Sequence, residues 1–145
     1  MRTITFILTI GFLLLLAACG GQPAAVPAGA DVGQKVSVPG GSYTDVSVPE
    51  LQTMLDSKDF VFVNVHIPFE GDMPDTDLSI AYDEIVQHLE ELPADKDAKI
   101  VLYCRSGNMS TQAATELVGL GYTNVWNLAG GFNAWKAAGL PMTGE

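Results

Sequence analysis

The chain has 145 residues, enough for one domain and an appendage. Its 17 acidic and 7 basic residues give a formal charge of −10. That balance leaves no basic patch for gripping nucleic acid and offers little attraction to an anionic lipid surface.

Met1-Arg2-Thr3 carries one positive charge, Ile4 to Ala18 is almost wholly apolar, and Leu16-Ala17-Ala18 places small residues before Cys19. This order reads as a secretory signal over residues 1–18. The apolar run falls short of the roughly 20 residues that a membrane-spanning helix needs, which makes a transmembrane anchor the weaker reading. The Leu-Ala-Ala-Cys ending resembles a bacterial lipobox. That resemblance implies a lipid on Cys19, membrane attachment through it, and a place in the bacterial cell envelope facing the periplasm or exterior. Residues 20–42 are rich in Gly, Pro and Ala and lack the large apolar side chains needed to fold alone. Residues 19–42 therefore read as a flexible linker, and 43–145 as the domain. At ~5–6 Å × √n, such a linker reaches on the order of 25 Å.

Tyr43-Thr44-Asp45-Val46 reads as a first strand. Ser47-Val48-Pro49-Glu50 is a capping box that opens a short helix, with Leu51, Met54 and Leu55 on one face. Phe60 to Val65 and Ile100 to Tyr103 are nearly continuous apolar runs of the kind that parallel strands show when both faces are covered. Val125 to Leu128 reads as a last strand. Helices are expected over Tyr82 to Leu92, Ser110 to Leu120 and Phe132 to Ala138, with Gly121 as a C′ glycine. Strands alternating with helices predict a parallel α/β sheet, whose crevice lies at the carboxyl ends of the strands. Cys104 and His66 each follow a strand end.

Residues 70–97 hold ten carboxylates and one lysine, which reads as a solvated face. The spacing of Asp72, Asp75 and Asp77 is not that of a calcium loop, and no metal site or cofactor is expected. His88 falls in this acidic stretch and reads as a surface residue. Trp135 reads as core.

Cys104 and Cys19 sit in such different contexts that a disulfide between them is not expected. The apolar run ending at Cys104 is followed by the small polar loop Arg105-Ser106-Gly107-Asn108-Met109-Ser110 and then by a helix. Backbone N–H groups of such a loop, and the helix N-terminus behind it, carry partial positive charge and lower the pKa of a thiol placed before them. Cys104 is therefore the candidate nucleophile. Gly107 supplies a positive φ, and Ser110 is placed to cap the helix. Arg105, the only basic residue of the loop, is placed to steer an anionic substrate. A phosphatase loop needs arginine six positions after the cysteine to clamp a phosphoryl group, and here that position is Ser110.

Cys104-Arg105-Ser106-Gly107-Asn108-Met109-Ser110 resembles the active-site loop Cys-Arg-Ser-Gly-x-Arg-Ser of single-domain rhodaneses, the thiosulfate and persulfide sulfurtransferases. Gly121-Tyr122-Thr123-Asn124-Val125, Leu128-Ala129-Gly130-Gly131 with Trp135, and Ala138-Gly139-Leu140-Pro141 extend the likeness over roughly residues 43–143. The resemblance implies a three-layer fold with a central parallel five-stranded sheet flanked by helices. It also implies a sulfurtransferase or persulfide carrier in which Cys104 accepts sulfane sulfur from a small donor and passes it to a thiol or protein acceptor, acting as a monomer. A non-catalytic module presenting its acidic surface is the alternative; domains of that kind commonly lack the cysteine.

Two positions depart from the family. Met109 replaces the usual arginine, which puts thiosulfate use in doubt, and Asn64-Val65-His66 replaces Asp-Val-Arg. Asn64 and His66 are candidates for a second layer behind the site; a histidine near the crevice can serve as an acid–base group, but His66 reads first as structural or solvent-facing. Asn64 and Met109 are expected to be neighbours that replace a lost ion pair, with Asn64 bonded to loop backbone.

Overall fold

The computed structural model describes residues 32–144. Strands β1 (Gln34–Val38), β2 (Gly41–Val46), β3 (Val61–Asn64), β4 (Leu78–Ser79), β5 (Ile100–Tyr103) and β6 (Val125–Leu128) form one sheet in the order β1-β2-β6-β5-β3-β4. Helices α1 (Val48–Leu55), α2 (Asn108–Gly119) and α3 (Gly131–Ala137) connect and cover it. The five strands from β2 to β4 pair in parallel, as expected. A sixth strand, β1, lies antiparallel on the β2 edge.

That sixth strand corrects the boundary of the linker. Residues 34–38 sit inside the segment read as a tether, yet they pair along their whole length with residues 41–45. The run Gln34-Lys35-Val36-Ser37-Val38 alternates polar and apolar residues. Val36 and Val38 pack on the core, which gives a one-sided edge strand what it needs to stay folded. The expected signal, the expected lipidation site at Cys19 and most of the expected linker lie outside the described residues. No helix among the described residues is long and apolar enough to cross a membrane.

The sheet divides the core in two. On one face Val63, Val65, Leu102 and Cys104 pack against α2, together with Ile80 and Ile85. On the other, Val46, Phe62, Val101, Tyr103 and Leu128 pack against Leu51 of α1 and Phe132 and Trp135 of α3. All four residues of β5 are buried, which explains their unbroken apolar run. Trp135 is core, as expected, and its indole N–H donates to the Pro141 carbonyl at 2.8 Å.

The capping box forms at α1, where the Glu50 carboxylate accepts from the Ser47 N–H at 2.7 Å. It also accepts from the Gly33 N–H at 2.9 Å. These bonds, those from the Ser47 backbone foremost, hold the Glu50 carboxyl below the usual range. Helix α2 ends in a Schellman pattern, with Gly121 N–H on the Val118 carbonyl and Tyr122 N–H on the Leu117 carbonyl.

The helix expected over residues 82–92 does not form. The segment makes successive tight turns closed by bonds such as Gln87 N–H to Glu84 and Leu92 N–H to Leu89, with a single 3-10 turn at Ile85–His88. Asp83, Glu84, Glu90 and Glu91 have no lysine or arginine three or four places away to support a helix. Burial of Ile85 and Leu92 fixes the path instead.

Candidate active site

Cys104 stands immediately after β5 and is 1% exposed. Its sulfur accepts the Gly107 N–H at 3.1 Å and the Ser110 hydroxyl at 3.5 Å. Burial pushes the thiol pKa up. The Ser110 hydroxyl and the backbone N–H groups of Ser110, Ser106 and Gly107 outweigh it, and the net pKa is lowered. The loop thus aims donors of fixed direction at the sulfur, which favours its ionised form over that of an ordinary thiol.

The loop is held open by backbone geometry. Gly107 is the N-cap of α2 at φ 98°, a left-handed conformation that glycine adopts without strain. Its carbonyl accepts the Thr111 N–H that starts the helix. Ser110 is therefore not a cap but lies inside the first turn of α2. Its hydroxyl is 3.1 Å from the Gly107 carbonyl as well as 3.5 Å from the sulfur, so the side chain links the turn to the nucleophile. Ser106 and Asn108 face solvent, and Met109 is half-buried.

The other wall comes from α3, which forms where the residue pattern predicts a helix over Phe132 to Ala138. Phe132 N–H donates to the Cys104 carbonyl at 2.9 Å, and Asn133 N–H donates to the Arg105 carbonyl at 3.0 Å. The approach is so close that a Cβ on Gly131 would lie 2.1 Å from the Cys104 carbonyl oxygen. Gly131, at φ 56°, is thus fixed by both space and conformation.

Arg105 is exposed, but its charge is engaged: Nη1 lies 3.0 Å from Glu70 Oε1. Glu70 was lost to view among the ten carboxylates of its segment, and nothing in the local sequence tied it to the loop. The same Oε1 lies 3.5 Å from His66 Nε2. His66 is 6% exposed, and neither ring nitrogen has a hydrogen-bond partner within the protein. Its ring meets Phe132 edge-on at 5.3 Å. Leaving a buried polar group unpaired costs about 1–3 kcal/mol.

The expected pairing of Asn64 with Met109 is overturned. Side chains along β3 alternate between faces. Asn64 follows Phe62 to the face that carries α3, whereas Met109 packs with the α2-side cluster. Asn64 does not bond the loop. Its amide donates to the Gly71 carbonyl at 3.1 Å and to Asp72 Oδ1 at 2.9 Å, and its oxygen accepts the His66 N–H at 3.0 Å. Asp72 also accepts from Ser79 at 3.0 Å, and its backbone pairs with Thr143. Tyr103 completes this network: its hydroxyl accepts the Met73 N–H at 2.9 Å, and burial drives its pKa up. Asp77 pairs with Lys58 and accepts the Phe62 N–H, so Asp72 and Asp77 serve separate structural partners. His88 pairs with Glu91 at the surface.

A profile of the rhodanese-like domain matches residues 62–138. A sulfurtransferase of Allochromatium vinosum is 39% identical over 94 residues, covering 63% of this chain and 85% of the relative. The thiosulfate sulfurtransferase GlpE of Pseudomonas syringae pv. syringae is 33% identical over 90 residues, covering 61% and 83%. Among solved structures, a human single-domain sulfurtransferase superimposes with a TM-score of 0.58 at 28% identity, covering 64% of this chain and 95% of that one.

Proposed function

Because this chain belongs to the family of rhodanese-like domains, we propose that it is a sulfurtransferase or persulfide carrier whose nucleophile is the Cys104 thiolate. Sulfurtransferase relatives support sulfur transfer in general. The observation that carries the specific reading is the Cys104 sulfur itself, with the Gly107 N–H at 3.1 Å and the Ser110 hydroxyl at 3.5 Å.

In the first half-reaction the thiolate attacks the outer sulfur of a donor. A sulfur–sulfur bond forms on Cys104 as the donor's own bond to that sulfur breaks. The remainder leaves with the bonding pair, as sulfite from thiosulfate or as thiolate from a persulfide. The amides that hold the thiolate also hold the anionic persulfide. In the second half an acceptor thiolate, or cyanide, takes the outer sulfur, and Cys104 departs as thiolate. Sulfur is carried with no net change in the oxidation state of the protein.

Met109 and the Glu70-engaged Arg105 leave little free positive charge for thiosulfate, which favours a less charged donor or a protein partner. The lipobox-like sequence supports a further part of the same reading: lipid on Cys19 tethers the domain at the outer side of a bacterial membrane. A mature protein still carrying residues 1–18 would overturn that part.

Intact-mass spectrometry after incubation with thiosulfate and, separately, with glutathione persulfide tests the chemistry. One added sulfur atom on Cys104, removed by excess thiol and missing in Cys104→Ser, is the expected result. A protein that takes up no sulfur from either donor is not a sulfurtransferase of this kind.

A further inference from the structure

We propose that a cleft over strands β1, β2 and β6 is a binding site for a sugar acid, a hydroxylated ring that bears a carboxylate, with Lys35 taking the charge and Trp126 the ring. The site lies away from Cys104 and does not depend on sulfur transfer.

Strand register builds the cleft. Lys35 of β1 pairs with Thr44 of β2, and Thr44 pairs with Trp126 of β6. Paired residues point to one face of a sheet, so these three side chains form a row across it. Ser42, two residues before Thr44, shares that face. The intervening Val36, Tyr43 and Val125 turn the other way and pack in the α2-side core. On the row's own face the packed core runs through Val46, Phe62 and Leu128 under α1 and α3, while Lys35 stays exposed and Thr44 half-buried. The result is a cleft of about 580 Å³, lined also by Thr123 and Asn124. That volume suits a small-molecule ligand. Thr123 and Asn124 precede β6, whereas Cys104 follows the parallel strand β5, so cleft and thiol lie at opposite ends of the sheet. Lys35, Ser42 and Thr44 also precede residues 62–138, so much of the cleft is built outside the span that matches the family.

Charge selects the sign of the ligand. The chain holds 17 acidic residues against 7 basic, yet no acidic residue among those described lines this cleft. Other concavities do carry carboxylates: Glu50 and Asp59 in one, Asp83 and Glu116 in another. Lys58, Lys99 and Arg105 are each tied to a carboxylate, whereas Lys35 has no ion pair among the described residues. An unpaired cation in a lining without acids attracts an anion.

The neutral groups select its shape. The Ser42 and Thr44 hydroxyls have no hydrogen-bond partner among the described residues, which leaves them to donate to and accept from a ligand. The Trp126 indole N–H is committed to Asn124 Oδ1 at 2.6 Å, so the ring offers apolar surface alone. Lys35 and Trp126 stand two strands apart, about 10 Å at the usual spacing. A ligand that reaches both needs a carboxylate at one end, hydroxyls between, and a C–H face at the other. A pyranose acid carries all three. A simple carboxylate lacks the hydroxyls, and a neutral sugar lacks the charge.

The test uses the full chain, isotopically labelled, and follows the Trp126 indole N–H and the Lys35 and Thr44 amides by NMR. Glucuronate, glucose and acetate are titrated separately at low ionic strength. Glucuronate should shift these signals saturably, with a dissociation constant on the order of 1–10 mM for a ligand of its size. Glucose should bind about three- to fivefold more weakly, the effect of one exposed ion pair, and acetate more weakly still. Lys35→Gln should bring glucuronate down to the affinity of glucose. Thr44→Val keeps the side-chain shape and should weaken glucuronate and glucose alike by about threefold. A glucuronate-containing trisaccharide separates the two sources of such a ligand. Tighter binding than that of the monosaccharide assigns the site to a residue of a polysaccharide, and equal or weaker binding assigns it to the free acid. No saturable shift with glucuronate, equal binding of glucose or acetate, or undiminished glucuronate binding in Lys35→Gln each overturns the proposal.

Discussion

Strands β3 and β5 lie side by side, and their carboxyl ends are built by different means. After β5, Cys104 is held mostly by main-chain groups: loop amides on its sulfur and the Phe132 amide of α3 on its carbonyl. After β3, Asn64, His66 and Glu70 are held mostly by one another's side chains and by Asp72 and Arg105. The main-chain end needs glycines at fixed places and tolerates variety elsewhere in the loop. The side-chain end needs particular partners that lie far apart in sequence.

Gly131→Ala breaks the main-chain end most severely. The new methyl would collide with the Cys104 carbonyl oxygen at 2.1 Å, and no flexible atom is there to yield. A stability loss of about 3 kcal/mol or more is expected from chemical denaturation. The Cys104 alkylation midpoint should move to higher pH as the loop detaches.

Asn64→Ala breaks the side-chain end. It strands the buried His66 N–H and the Gly71 carbonyl, at a cost of about 1–3 kcal/mol. If the two ends are independent supports, the pH profile of Cys104 alkylation should stay where it was. A large shift in that profile would show that the β3 end positions the sulfur.

Ser110→Ala sharpens the comparison, because among the described residues Ser110 is the one side chain that donates to the sulfur. The Cys104 pKa is depressed, so at neutral pH the thiolate fraction exceeds that of an ordinary thiol and falls as acid is added. Removing the hydroxyl should move the alkylation midpoint up and slow alkylation at pH 7 by roughly three- to tenfold, with the backbone donors retaining the remainder. An unchanged midpoint would assign the whole effect to the main chain.

The smallest effect is expected from a double-mutant cycle of Asn64→Asp and Met109→Arg. The two side chains occupy opposite faces of the sheet. Their stability effects should add within about 0.5 kcal/mol. A larger coupling would mean that the loop transmits charge across the sheet.

The candidate nucleophile, its loop and the parallel order of the core strands were all legible in residue order. Cys104 through Ser110 is a local unit: a buried strand, a glycine at positive φ and a helix start follow one another without a gap, and that succession alone aims amides at the sulfur. Main-chain chemistry reads well from sequence because it depends on which residues permit a conformation.

The tertiary structure decided what Arg105, Asn64, His66 and Ser110 do. Arg105 stands 35 residues from the Glu70 that engages it. Asn64 was assigned to the loop by analogy, but the alternation of β3 turns it to the other face, toward Asp72. The edge strand β1 was hidden in a segment of linker-like composition, because a strand of five residues becomes stable only through the partner it folds back upon. The acidic stretch after residue 82 carries apolar residues at helical spacing, yet burial of Ile85 and Leu92 selected tight turns. Residue order set the conformations that the chain could adopt locally. Which charge meets which, and which face a side chain takes, was fixed only when distant segments packed, because ion pairs and sheet faces are relations between segments that no local pattern records.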